Sequence, residues 1–295
     1  MIGGCKQVQE FDVGVVGCGP AGLSAAVNAK IRGKSVQVFG AEICSPKLER
    51  APWVDNYLGF AHVSGEDLRD KFVEHAHSMG LQILRSRVDS IYPDESGFTI
   101  IAKAELYHVR SLVIATGISY ASYLPGERDF LGRGVSYCGT CDGPLYRGKT
   151  VAVVAYTAEG IQEANYLSTV AEKVYFIPQM ESWEGLDDNI SVITGKPAGI
   201  LGDQKVTHLV CRENQLAIDG VFIFRDVTPA EQMLAELDVR RGEIIVDRSL
   251  ATNVPGVFAA GDCTGRPFQL AKAVGEGLVA GLSAAAYIEK LVHDN

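Results

Sequence analysis

Cys138-Gly139-Thr140-Cys141 is followed at once by Asp142 and Gly143, which places two thiols and an acid within five residues. Three chemistries suit such a pair. A zinc half-site needs a second pair of Cys or His ligands at suitable spacing. The other cysteines (Cys5, Cys18, Cys44, Cys211 and Cys263) are isolated in sequence, and His75 and His77 stand two apart on a helix-like stretch, where side chains diverge. Two inert core cysteines are a second reading. A redox dithiol is physically favoured, because two intervening residues allow a small disulfide ring. A helix starting at that turn would stabilise a thiolate. Asp142 supplies an acid that can give a proton to a departing sulfur and take it back.

A second chemical signature opens the chain. Gly17-Cys18-Gly19-Pro20-Ala21-Gly22 fits the G-x-G-x-x-G pattern, after the Val-rich run FDVGVVG and before a small-residue helix. Gly17 permits the tight turn, Gly19 lets the backbone approach a pyrophosphate, and Gly22 lets the helix pack on the strand. Glu42 follows 20 residues after Gly22, at the end of a second strand, the distance at which an acid meets ribose hydroxyls.

Elements must position these groups. The 11–17 run, a helix over 21–32 and the strand SVQVFG make a βαβ unit. An amphipathic helix is expected over 65–80 and short strands over 81–115. The βα pattern restarts with a strand at 151–155, a helix near 159–170 and a strand at 173–177. Further strands reach about Val246. GVFAAGD (256–262) then reads as a strand and 268–291 as a helix. The fold class is α/β, with two dinucleotide-binding, Rossmann-like units of three-layer ββα form, the second inserted into the first. The expected boundaries are 1–117 plus 247–295 for the first dinucleotide-binding domain and 118–246 for the inserted, dithiol-bearing domain.

Composition narrows the function. The chain has 295 residues, 47 % hydrophobic and 21 % charged, with a net charge of −9 and no Lys/Arg run longer than two. That argues against nucleic acid and anionic membrane as partners. No stretch approaches the ~18 apolar residues that span a bilayer. Seven scattered cysteines do not make a secreted disulfide framework, so a cytoplasmic location and a catalytic dithiol are expected. No metal site is expected.

Taken together, GCGPAG, WVDNYLGF (53–60), IATG (114–117), CGTCDG, VFAAGDC (257–263) and the helix residues Gly275 to Ala280 resemble the low-molecular-weight thioredoxin reductases over essentially the whole chain. The resemblance implies FAD, held by Gly17, Gly19, Pro20, Ala21 and Gly22, by Ala115, Thr116 and Gly117, and by Gly261 and Asp262. It adds Phe268, Gln269, Leu270 and Ala271 near the flavin ring, with Asn56, the 40–47 backbone (Gly40, Ala41, Glu42, Lys47) and the backbone near Val88. Cys141 would receive electrons from the flavin, Cys138 would attack the disulfide of thioredoxin, and Asp142 would be the acid/base. Homodimerisation and a large swing of the inserted domain are also implied.

One stretch departs from that family. After strand 151–155, a site for NADPH would carry a glycine-rich turn; here the residues are Tyr156-Thr157-Ala158-Glu159-Gly160. Tyr156 puts a ring where phosphate must approach backbone, and Glu159 puts negative charge near a helix N-terminus. The turn that would hold a 2′-phosphate reads Phe176-Ile177-Pro178-Gln179-Met180, without a cation. With EANYL, VYFIPQ and APWVDNYLGF, this departure resembles the ferredoxin-dependent flavin thioredoxin reductases of anaerobic bacteria. Electrons would flow from ferredoxin to FAD to Cys138/Cys141 to thioredoxin. A plant-type ferredoxin lies near about −400 mV and a thioredoxin near about −270 mV; the ~130 mV gap is worth roughly 6 kcal/mol for two electrons. Lys47, Arg50, Arg133, Arg147, Lys149 and Lys272 are the cations that could serve an acidic donor. The alternatives are an NAD(P)H-dependent thioredoxin reductase with an atypical site, an oxygen-using dithiol oxidase, a second cofactor in the degenerate site, or a flavin-bound redox sensor.

Overall fold

A computed structural model describes residues 8–40, 44–103, 105–118, 123–212, 214–225, 230–240 and 242–293. Packing divides the chain into two compact units, Met1–Ile118 with Pro229–Asn295, and Ser119–Thr228.

The first unit begins with β1 (Gln9–Val16), α1 (Pro20–Ile31), β2 (Val36–Gly40), α2 (Pro46–Glu49), α3 (Gly65–Ser78), β3 (Ile83–Arg85), β4 (Ser90–Pro93), β5 (Phe98–Ala102) and β6 (Glu105–Ile114). The sheet order is β3-β2-β1-β6-β5-β4. β6 serves two layers: residues 105–109 pair antiparallel with β5, while 112–114 pair parallel with a late strand described below. Alternation along β1 and β6 decides the faces. Val15 and Val113 point toward α1, whereas Val16, Leu112 and Ile114 point to the side covered by Ile91, Phe98 and Ile100.

The second unit contains β7 (Val135–Ser136), α4 (Gly139–Asp142), β8 (Thr150–Ala155), α5 (Glu159–Ser168), β9 (Lys173–Pro178), β10 (Ser191–Val192), β11 (Pro197–Gly202), β12 (Val206–Cys211), β13 (Asn214–Ala217) and β14 (Gly220–Phe224). Five parallel strands run in the order β10-β9-β8-β14-β7. β8, TVAVVA, is apolar throughout because both of its faces are covered. Val151, Val153 and Ala155 meet Ile161, Ala164 and Leu167 of α5. Ala152 and Val154 meet Ile200 and Leu209 of the β11-β12-β13 sheet. Each unit is therefore a three-layer ββα sandwich, as expected.

The return to the first unit comes earlier than the expected residue 247. α6 (Ala230–Met233) and the hairpin β15 (Val239–Arg240) with β16 (Glu243–Ile244) precede β17 (Val257–Ala259) and α7 (Leu270–His293). Ala230, Met233, Leu234, Leu237 and Ile244 are buried against Ile91, Phe98 and Val257, so they belong to the first core. The inserted unit ends at Thr228 rather than at 246.

Candidate active site

In the first unit the C-terminal ends of β1, β2, β6 and β17 converge, and the expected cofactor residues follow them. This is where ligands bind open parallel sheets. Gly17 has φ +118°, and a Cβ on it would lie 2.2 Å from the Ala115 carbonyl oxygen. A Cβ on Gly22 would lie 1.9 Å from the Gly17 oxygen. Nothing lies within 4 Å of a Cβ built on Gly19, so that face of the turn is open. α1 starts at Pro20 with no side-chain cap and no acid in its first turn, which leaves its first amides for an anion. Gly261 (φ +89°) brings the turn after β17 onto Ala21, and Gly117 (φ +73°) closes the turn after β6. These features fit the pyrophosphate of FAD.

The remaining predicted residues gather unevenly. Lys47 Nζ pairs with Asp262 Oδ2 at 3.0 Å and lies 5.5 Å from the centre of the Phe268 ring. Asn56 Nδ2 donates to Gln269 Oε1 at 3.0 Å. Leu270 packs with Leu48, Val54 and Leu68, while Ala271 is exposed. The Val88 side chain is buried in the core, so only its backbone can face a ligand. Ala41 and Glu42 lie outside the described residues.

Sequence reasoning missed a clamp and a covalent link. Lys272 Nζ donates to the carbonyls of Gly261 (2.8 Å) and Gly265 (2.6 Å) and pairs with Glu276 at 3.1 Å, while Glu276 accepts from the Gly261 N–H at 2.9 Å. Lys272 therefore faces inward, and Lys47 is engaged with Asp262, which removes both from the set of undirected surface cations. Cys18 and Cys44, read as isolated, form a disulfide with Cα atoms 5.1 Å apart. Their 26-residue separation carries no local signal; the βαβ unit brings them together.

In the second unit Cys138 and Cys141 form the expected disulfide. Cys138 is the N-cap of α4 and its Sγ accepts from the Cys141 N–H at 3.1 Å; the Thr140 hydroxyl lies 3.5 Å away. Cys138 is half-buried and Cys141 is exposed. A Cβ on Gly139 would meet the Glu163 carboxylate at 2.2 Å, so that side chain packs directly on the dithiol turn and would have to shift to admit one. Asp142 Oδ2 accepts from the hydroxyl of buried Ser136 at 2.7 Å, and the same hydroxyl accepts from the Cys138 N–H at 3.2 Å. Ser136 was not predicted, although it lies only two residues before the dithiol. Among the described residues no group of three His, Cys, Asp or Glu is placed to hold a metal ion.

The degenerate nucleotide site lies at the ends of β8, β9 and β14, and it is filled. Arg225, following β14, makes a two-pronged pair with Glu127: Nη1 to Oε1 at 2.5 Å and Nη2 to Oε2 at 2.6 Å. Arg225 is 4 % exposed and Glu127 0 %. The Tyr137 hydroxyl donates to Glu127 Oε1 at 2.7 Å, and the guanidinium sits 5.3 Å from the Tyr156 ring and 5.7 Å from that of Tyr123. Burial opposes the Arg225 charge, but the Glu127 hydrogen bonds and charge outweigh it and hold the group above its ordinary value. Burial first, then the Glu127 charge, pushes the Tyr137 phenol far up. Glu159 occupies the first turn of α5. Gln179 ties its turn down by donating to the Gly195 carbonyl at 2.8 Å.

A family model described as pyridine nucleotide-disulphide oxidoreductase matches residues 11–277. The crystal structure of a ferredoxin-flavin thioredoxin reductase from Clostridium acetobutylicum is 44 % identical, with a TM-score of 0.90, covering 97 % of this chain and 100 % of that one. A 34.2 kDa protein in the rubredoxin operon of Clostridium pasteurianum is 31 % identical over 96 % of this chain and 99 % of its own. A thioredoxin reductase of Listeria monocytogenes is 28 % identical over 95 % of both. With its two ββα units, glycine cradle and Cys138–Cys141 disulfide, the chain belongs to the pyridine nucleotide-disulphide oxidoreductase family.

Proposed function

We propose that this chain is an FAD-containing thioredoxin reductase that takes its electrons from a ferredoxin instead of NADH or NADPH. The observation that carries the donor assignment is the Glu127–Arg225 pair, with Tyr156 against it, at the strand ends where a nicotinamide dinucleotide would place its phosphates. Both Glu127 oxygens already meet the guanidinium, and Glu159 adds a charge of the wrong sign for an anion. Two acids and a phenol ring leave no basic, open cradle there. The similarity to the ferredoxin-flavin enzyme from Clostridium acetobutylicum supports the same donor.

FAD bound in the first unit would supply a carrier able to hold one or two electrons, which suits a one-electron donor and a two-electron disulfide. The first unit would hold it through Gly17 to Gly22, Ala115 to Gly117, Gly261 and Asp262, with Lys47, Asn56 and Phe268 to Ala271 lining the same site. In the reduced second unit, the Cys141 N–H and the Thr140 hydroxyl stabilise a thiolate on Cys138. These bonds favour Cys138 as the attacking sulfur although Cys141 is the more exposed residue. Cys138 attacks the thioredoxin disulfide, one thioredoxin sulfur leaves, and Cys141 then displaces the second. Thioredoxin gains two electrons and two protons, and the Cys138–Cys141 bond re-forms. Asp142, aimed by Ser136, moves the proton to and from the sulfurs.

The expected homodimer and cytoplasmic location belong to the same proposal; sedimentation at micromolar concentration tests the dimer. No helix among the described residues is long and apolar enough to cross a membrane. The decisive assay is anaerobic. Reduced ferredoxin is expected to bleach the flavin and drive thioredoxin reduction, and NADH and NADPH are expected to do neither. Rapid thioredoxin reduction with NADPH and none with ferredoxin overturns the assignment.

A further inference from the structure

Cys18 and Cys44 tie together the two loops that grip a dinucleotide in this fold. Cys18 occupies the variable position of the Gly17-Cys18-Gly19 turn, and Cys44 lies on the loop that leaves β2. Both are nearly sealed, at 4 % and 3 % exposure. A Cβ on Gly40 would lie 2.4 Å from Cys18 Sγ, so that sulfur points under the end of β2, away from the open face at Gly19. A cation stands beside the pair. Arg85 Nη1, at the end of β3, donates to Cys44 Sγ at 2.9 Å and lies 3.8 Å from Cys18 Sγ. A purely mechanical crosslink has no use for a guanidinium at its sulfur. A bond that opens does, because the departing sulfur leaves as an anion.

We propose that Cys18–Cys44 is a second thiol–disulfide centre, a reversible latch whose reduction by a dithiol loosens the hold of the chain on FAD. The inference rests on the FAD assignment above. A thiolate of the dithiol attacks Cys18 Sγ, the Cys18–Cys44 bond breaks, and Cys44 leaves as a thiolate beside Arg85. The second sulfur of the dithiol then attacks the mixed bond and releases Cys18. Both electrons come from the dithiol, which ends as a disulfide, and its two protons end on Cys18 and Cys44. Because both sulfurs are buried, exchange waits on local opening of the loop. Bound cofactor holds the same loop closed. If the latch tightens FAD, linkage requires FAD to protect the latch by the same factor.

The test uses a C138S/C141S chain, in which only the second pair can respond. Loaded and FAD-stripped protein is treated anaerobically with dithiothreitol or with reduced thioredoxin, quenched in acid, alkylated and mapped by peptide mass. Cys18 and Cys44 are expected to resist alkylation before treatment and to take two labels after it. Release of FAD on filtration should then quicken about tenfold, the scale of losing one preorganised loop. Stripped protein should be reduced faster than loaded protein by a similar factor. A C18S variant should release FAD quickly whether or not dithiothreitol is present. Labelling by dithiothreitol alone assigns the latch to small dithiols, and labelling by both assigns it to protein dithiols as well. Two labels without any reductant, or an FAD release rate unchanged by reduction, overturns the latch. A chain that cannot be loaded with FAD at all overturns the cofactor assignment instead, and the mapping still reports whether the disulfide exists.

Discussion

Ser136 fixes the direction of the Asp142 carboxylate and the Cys138 amide with one hydroxyl. D142N should therefore slow thioredoxin reduction about a hundredfold, the lower end of what positioned proton transfer contributes, and S136A, which only aims that acid, about tenfold. Both should leave flavin content unchanged, and S136A should move the pH–rate profile, which a merely structural serine would not do. The thiols outside the two disulfides among the described residues behave oppositely. Burial, the largest influence, pushes the Cys263 thiol up to about 12, and burial raises Cys211 as well. Native protein at pH 9 should leave both unalkylated by iodoacetamide while unfolded protein is labelled at both. At this scale the sequence was most legible where chemistry is local. Cys138, Cys141 and Asp142 declare themselves within five residues. Cys18 with Cys44, Lys272 with the turn at Gly261, and Glu127 with Arg225 depend on contacts that only the folded sheets create. Tyr156 was readable as an obstruction, but the ion pair behind it joins residues 98 apart.

Elements were legible through periodicity. The apolar runs at β1 and β8 and the glycine turn before α1 fall where expected. The early return at α6 was not, because four helical residues and two very short strands show no period long enough to read. Between elements, the Glu127–Arg225 pair fastens the segment after Leu124 to the end of β14. E127Q leaves a buried guanidinium without its counter-charge and should cost roughly 3–5 kcal/mol in urea unfolding, whereas E127L/R225M should regain most of that loss. Equal stability of E127Q and the parent chain would show that the pair does not fasten this segment to β14.

For the whole molecule, the two units should answer differently to the cofactor. Only the unit built from Met1–Ile118 and Pro229–Asn295 carries the glycine cradle. Added FAD at a hundred times its dissociation constant should stabilise that unit by about 2.7 kcal/mol and leave the other unmoved. Calorimetry with and without FAD checks this, with one transition shifting and one staying. The insertion itself was legible, because two βα beginnings and a returning VFAAGD strand cannot be threaded as one continuous sheet.

The last helix has a consequence for how the chain is made. α7 lies directly on α1: Cβ atoms on Gly277 and Gly281 would meet the Ala21 and Ala25 carbonyl oxygens at 2.1 and 2.3 Å, and the Ser24 hydroxyl donates to Val274 at 2.8 Å. The opening βαβ segment leaves the ribosome first yet cannot bury that face until the closing residues emerge. The contiguous middle unit needs nothing further and can finish while translation continues. Nascent chains stalled at about residue 270, with the middle unit clear of the exit tunnel and α7 not yet made, should thus yield a protease-resistant core from the middle of the protein, with an N-terminal third still open to digestion.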